Sequence, residues 1–179
     1  MEGRLATKAQ EEALAAVIKG QIVVDLGAGD CKLAKKLVEL GAKHVLAVDK
    51  EFPPGFIKPH PRVQRIHQRF EELPFYPTSV HFISWPPNWK CGLLPHIKAA
   101  GIIVYLGKNT DGMSCAIPAI WRYLVTRKIL AYVPHKKNTL IVYGPGVEKR
   151  PPRGEEEAGL ETDGILYYEQ LEDIRPETK

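Results

Sequence analysis

The sequence predicts an α/β protein with a mostly parallel, seven-stranded sheet and helices on both of its faces. Three observations predict it. Ile22, Val23 and Val24 form an apolar, β-branched run that ends in Asp25, then Gly27 and Gly29. A helix-spaced set follows (Leu33, Ala34, Leu37, Val38) and stops at Gly41. A second apolar run, residues 45–49, again closes on an acid, Asp49. Two further runs, 129–133 and 139–143, flank Pro-His-Lys-Lys-Asn, which predicts an antiparallel hairpin ending the sheet.

The elements follow in order. Residues 5–19 are rich in Ala and Leu, with Leu14, Val17 and Ile18 on one face, and predict a first helix. Thr7 with Gln10 three residues on has the form of a capping box, and Gly20 stops the helix. Strand, glycine turn and helix then make a ligand site: glycines permit a sharp turn and close approach, and a helix start offers free N–H groups. Asp49 lies twenty residues beyond Gly29, where an acid that accepts from ribose hydroxyls is expected in such units.

Pro53, Pro54, Pro59 and Pro61 leave little room for a helix after the second strand, so a loop is predicted there. The stretch 63–75 reads as a third strand and its exit, and Phe82 and Ile83 lie in a fourth. A helix over 93–100 carries Pro95, and 101–106 is a fifth strand. Residues 107–115 read as a loop at the same sheet edge, offering Lys108, Asn109 and Asp111 to a substrate. A helix is predicted over 117–128, with Pro118 in its first turn. The body is taken as residues 1–146, and 147–179 as an acidic, proline-containing tail with a small apolar island at 165–171.

Several of these stretches carry a resemblance. Asp25-x-Gly27-x-Gly29-x-Cys31 resembles the first motif of the class I S-adenosylmethionine-dependent methyltransferases, D/E-x-G-x-G-x-G, with Cys31 at the last glycine. A dinucleotide fingerprint would instead need a glycine where Lys32 stands. Ser84-Trp85-Pro86-Pro87-Asn88-Trp89 is similar to the D/N/S-P-P-Y/F/W motif of the family members that act on amino groups. Here Trp85 and Asn88 are interposed around the prolines. Leu73-Pro74-Phe75 matches the family's turn after the third strand, with Arg69 at the place of an adenine-binding acid and Phe70 next to it.

The resemblance implies a Rossmann-like methyltransferase fold and S-adenosylmethionine as cofactor. Its cofactor set would be Asp25, Gly27, Ala28, Gly29, Asp49, Lys50, Arg69, Phe70 and Ser84. Phe70 would stack on adenine or offer it a backbone N–H. The catalytic set would be Ser84, Pro86, Pro87, Asn88 and Trp89, in which Ser84, Asn88 and the proline carbonyls hold an acceptor amine and the aromatic stacks on it. The implied reaction is N-methylation.

Composition bounds the partners. The chain has 179 residues, 44% hydrophobic and 26% charged, which is ordinary for one globular domain. No apolar run approaches a membrane span, and the N-terminus lacks a signal-peptide core. Three widely spaced cysteines (Cys31, Cys91, Cys115) fit neither a disulfide framework nor a zinc site, so a reducing, cytoplasmic setting is expected, with no metal. Residues 148–179 hold ten acidic and five basic side chains, a net of −5, which leaves the body at +9. That body suits an anionic partner such as nucleic acid, with a protein lysine side chain or a small amine as the other acceptors open to it. Two readings from other classes stand beside the enzyme. One is a non-catalytic S-adenosylmethionine-binding module that serves as a partner or regulator. The other is an NAD-dependent oxidoreductase, which Lys32 and the terminal hairpin disfavour.

Overall fold

The computed structural model describes residues 5–53, 60–76, 80–86, 92–107 and 118–147. Helix α1 (Lys8–Ile18) is followed by strand β1 (Ile22–Leu26), α2 (Lys32–Glu39), β2 (His44–Asp49) and β3 (Val63–His67). A 3₁₀ turn (Phe70–Glu72), β4 (Val80–Ser84), α3 (Leu93–Ala99), β5 (Ile102–Gly107), α4 (Pro118–Leu124), β6 (Arg127–Val133) and β7 (Thr139–Val147) complete the order. The strands form one seven-stranded sheet in the order β3-β2-β1-β4-β5-β7-β6. The pairs β3–β2, β2–β1, β1–β4 and β4–β5 are parallel, and β7 runs antiparallel between β5 and β6.

Strand alternation sends successive residues to opposite faces. Val23, Phe82 and Val104 pack with Leu14 and Ile18 of α1 and Leu33, Leu37 and Val38 of α2. Val24, Ile83 and Ile103 pack with Leu93 and Ile97 of α3 and Ile120 and Leu124 of α4. Both faces are therefore buried, which is why β1, β4 and β5 read as continuous apolar runs. Among the described residues, no helix is long and apolar enough to cross a membrane.

The start of α1 forms as its sequence implies, with a difference. Thr7 Oγ1 accepts from the Gln10 amide at 3.2 Å, but the Gln10 side chain reaches past Thr7 to accept from Ala6 N at 2.7 Å. The same buried amide donates to Val133 O and Asn138 Oδ1, so it fastens α1 to the β6–β7 turn. That turn and the start of α1 thus share the sheet's C-terminal edge with the glycine turn.

Three expectations need correction. Helix α4 ends at Leu124, not at 128. Thr126 turns its hydroxyl back onto Tyr123 O at 2.7 Å, and Arg127 enters β6, where its guanidinium is buried. Strand β7 continues past 143 to Val147, through Pro145 and Gly146, by stepping four residues against two of β6. Asp25 does not end β1: it pairs in register with Ala47 and Phe82, and Leu26 follows within the strand. Residues 148–179, Pro54, Pro59, Lys108, Asn109 and Asp111 lie outside the described residues.

Candidate cofactor and acceptor site

The site is built at the C-terminal edge of the central strands, where β1 and β4 diverge to loops beside each other. Their register pairs Leu26 with Ile83, so the glycine turn and the Ser84-Trp85-Pro86 exit leave the sheet side by side. This is the crevice in which open α/β sheets hold ligands.

The glycine turn is stitched to β2. Gly27 N and Ala28 N both donate to Val48 O, at 2.9 and 3.0 Å, and Gly29 N donates to Asp49 Oδ2 at 2.8 Å. Gly27 and Gly29 have φ of +86° and +52°, which L side chains rarely adopt, and a Cβ on either would meet nothing within 4 Å among the described residues. Among those residues, the turn is uncovered. Cys31 also sits in the left-handed region, at φ +54°, where glycine would be unstrained. Its burial and the nearby Asp25 push the thiol up to about 12, which favours the protonated thiol over the thiolate near neutrality. Cys31 is the N-cap of α2 and no side chain caps the helix; Asp30 before it accepts from Lys32 N at 3.1 Å in a local turn.

Asp49 is the hinge of the arrangement. Oδ2 accepts from Gly29 N, and Oδ1 from Glu51 N at 3.1 Å. A carboxylate offers about four lone-pair positions, so capacity for two further donors remains. Lys50 beside it is exposed, as is Arg69 at the exit of β3, while Phe70 is half-buried.

Asp25 is fully buried beneath the turn, on the face it shares with Phe82, and neither carboxylate oxygen has a hydrogen-bond partner among the described residues. Burial first, then the Asp49 carboxylate, pushes its carboxyl up to about 7. A buried acid with no donor among the described residues, below a glycine cradle that none of them fills, fits a ligand that brings donors or positive charge.

On the acceptor side, Ser84 is half-buried at the end of β4, and Trp85 follows in the left-handed region at φ +49°. Its amide donates to Leu106 O at 2.7 Å, and its indole Nε1 is buried with no partner among the described residues. The residue interposed before the prolines is thus absorbed by one strained turn of backbone. Pro86 is buried. Pro87, Asn88 and Trp89 lie outside the described residues. No cluster of three metal-ligating side chains occurs among those described.

Three residues near the site escaped sequence reasoning. His96, Glu71 and Gly92 fasten the turn carrying Phe70 to α3, with His96 Nε2 2.5 Å from Phe70 O and Gly92 N donating to Glu71 Oε1 at 2.9 Å. No local pattern signals them, because each bond joins residues more than twenty positions apart.

No protein-family profile and no curated protein sequence matches the chain. Its fold does match solved structures. One is a protein of the NADB-Rossmann superfamily from Streptococcus agalactiae, with TM-score 0.53, 13% identity, and coverage of 83% of this chain and 72% of that one. Another is a candidate RNA methyltransferase from Pyrococcus horikoshii, with TM-score 0.52, 17% identity, and coverage of 79% and 84%. A third is the 1,6-didemethyltoxoflavin-N1-methyltransferase of Burkholderia thailandensis with 1,6-didemethyltoxoflavin and S-adenosylhomocysteine bound. It has TM-score 0.52, 16% identity, and coverage of 76% and 78%. At such identities the likeness speaks for the fold: the chain has the Rossmann-like fold found in methyltransferases, closed by an antiparallel last strand.

Proposed function

We propose that this chain is an S-adenosylmethionine-dependent methyltransferase acting on an amino nitrogen. The observation that carries the reading is the meeting at one sheet edge of the β4 exit, Asp49, the glycine turn and a buried Asp25 that has no hydrogen-bond partner among the described residues. Two of the similar folds belong to proteins named as methyltransferases, one of them holding S-adenosylhomocysteine.

In this reading Gly27, Ala28 and Gly29 receive the methionine portion, and Asp49 accepts from the ribose hydroxyls while holding the glycine turn in place. Asp25 faces the positively charged end. Lys50, Arg69 and Phe70 border the base. When bound, the cofactor supplies a methyl group made electrophilic by the sulfonium. The chain's task is positioning: Ser84, Asn88 and the carbonyls of Pro86 and Pro87 orient the lone pair of the acceptor in line with the methyl carbon, and Trp89 stacks on it. The bound cofactor would supply the methyl group and keep the C–S electron pair on sulfur, and the acceptor nitrogen would release its extra proton to solvent. No strong base is required, because a neutral amine attacks before it loses its proton.

Charge supports a nucleic-acid acceptor, since the body carries a net +9, with a protein side-chain amine or a small amine as the alternatives. A cytoplasmic setting accords with three widely spaced cysteines.

The division of labour is testable by calorimetry and a methyl-transfer assay. Asp49→Ala should weaken S-adenosylmethionine binding by about tenfold to a hundredfold, as loss of charge-assisted hydrogen bonds implies. Asn88→Ala should leave binding intact and lower turnover by about tenfold or more. Equal effects of the two changes on binding and turnover would refute the assignment. Labelled methyl donor incubated with separated DNA, RNA, protein and metabolite fractions identifies the acceptor. Cofactor binding with no label transferred to any fraction would favour the regulatory module instead.

A further inference from the structure

We infer that His96 and Glu71 are positioning residues for recognition of the cofactor's base, an assignment that rests on the methyltransferase reading above. Neither borders the crevice by sequence, and both act through Phe70.

Phe70 opens a three-residue 3₁₀ turn whose other members, Glu71 and Glu72, are exposed, and Arg69 before it is exposed as well. Such a turn has little of its own to hold it. It is fixed by helix α3. The His96 imidazole is 2% exposed, and its Nε2 lies 2.5 Å from the Phe70 carbonyl oxygen. A carbonyl only accepts, so Nε2 carries the hydrogen of that bond. One turn earlier, the Gly92 amide donates to Glu71 Oε1 at 2.9 Å. A Cβ on Gly92 would lie 2.7 Å from Glu71 Cγ and Cδ, so a larger residue there would push the Glu71 side chain aside. The ring of Phe75 lies 5.1 Å, centroid to centroid, from the His96 ring, and Leu73, which follows the turn, is buried in the core that also holds Leu93 and Ile97.

The platform itself is anchored in the core. Leu93 and Ile97, which flank His96 on α3, are 1% and 0% exposed in the core. His96 carries a cost that an apolar residue would avoid, since its Nδ1 is buried with no partner among the described residues. A leucine would fill the same space without leaving that acceptor bare. What histidine adds is the bond to Phe70.

A base is told apart by hydrogen bonds and stacking, and these fail when the reading residue moves by a fraction of an ångström. The methionine and ribose portions rest on other elements, the glycine turn and Asp49. Loosening Phe70 should therefore blunt discrimination between bases rather than abolish binding in general.

The test compares S-adenosylhomocysteine with S-inosylhomocysteine, which differs only in the base, by calorimetry on the full chain. The wild type should prefer adenine by about tenfold or more. His96→Ala should bring that preference close to parity, and His96→Gln, which returns an N–H near the place of Nε2, should restore much of it. Glu71→Ala, an exposed change that leaves the core intact, should narrow the preference in the same direction. Retention of the wild-type preference by folded His96→Ala and Glu71→Ala would overturn the inference, as would equal loss of affinity for both nucleosides. A wild type that binds both equally also overturns it. A wild type that binds neither removes the methyl-donor reading and this assignment with it.

Discussion

Arg127→Ala should lower the unfolding free energy by about 3 kcal/mol or more, the range for removing a buried, hydrogen-bonded charge. The side chain is 7% exposed, and its guanidinium donates to three main-chain oxygens and one hydroxyl. Nε donates to Gly144 O at 2.7 Å, and one terminal nitrogen to Ala100 O at 3.2 Å and Gly101 O at 2.5 Å. The other donates to the Tyr123 hydroxyl at 2.9 Å, and the guanidinium carbon lies 5.8 Å from the Tyr123 ring centroid. Ala100 caps the C-terminal end of α3, where carbonyls lack helical partners and the helix dipole is negative. One planar fork thus joins α3, α4, β6 and β7. Alanine would leave three carbonyls without this donor and open space among them. Lysine, a point charge without the fork, should recover less than half of the loss. Melting followed by circular dichroism should fall by roughly 6–12 °C for alanine, given about 2–4 °C per kcal/mol for a chain of this size. An alanine variant within about 1 kcal/mol of wild type would sink this account.

The contrast between what sequence reasoning located and what it missed is physical. The β1–glycine–α2 unit was legible because its signals are local: a β-branched run, residues needing positive φ, and an apolar stripe of helical period. The place of Asp49 was legible because one helix of ordinary length separates two strands of ordinary length, and the Gly29–Asp49 bond spans that interval. The hairpin of β6 and β7 was legible from its polar turn. Arg127 was not, because nothing near it in the chain distinguishes the last turn of a helix from the first residue of a strand. Its partners, at 100, 101 and 144, decide, and these are brought to it only by the folded sheet. His96 and Glu71 were missed for the same reason. Pro145 reads as a strand breaker, yet β7 passes through it where its pairing with β5 has already ended at Tyr143. Arg69 stands at the place of an acid in the resembling family, and the structure leaves it exposed at the start of the 3₁₀ turn.

Asp25→Asn should make the protein more stable than wild type at pH 8 and leave it nearly unchanged at pH 4. The reason is the sign of the linkage. The unfolded chain loses this proton near pH 3.9. The folded chain keeps it until about pH 7, because burial and then the Asp49 carboxylate disfavour the charge. Between those limits the unfolded state binds fewer protons than the folded one, so stability falls as pH rises, by about 1.4 kcal/mol per unit. The stability is fully present below the unfolded value and lost once pH passes the folded one. Summed over the window, the loss is on the order of 4 kcal/mol. Asparagine keeps the shape without the charge and should remove the slope. Other carboxylates titrate too, so the readout is the difference between wild type and variant in denaturant midpoint at the two pH values. A difference that does not change with pH would contradict it. The same carboxyl makes a prediction about ligand. A bound cation favours the ionised acid, so S-adenosylmethionine binding near pH 6.5 should release a proton. The calorimetric heat should then vary with the ionisation enthalpy of the buffer. Asp25→Asn should bind more weakly and show no such variation. The variant would be the better folded protein and the poorer receptor, which is the trade expected of a buried carboxylate kept for a ligand rather than for the fold.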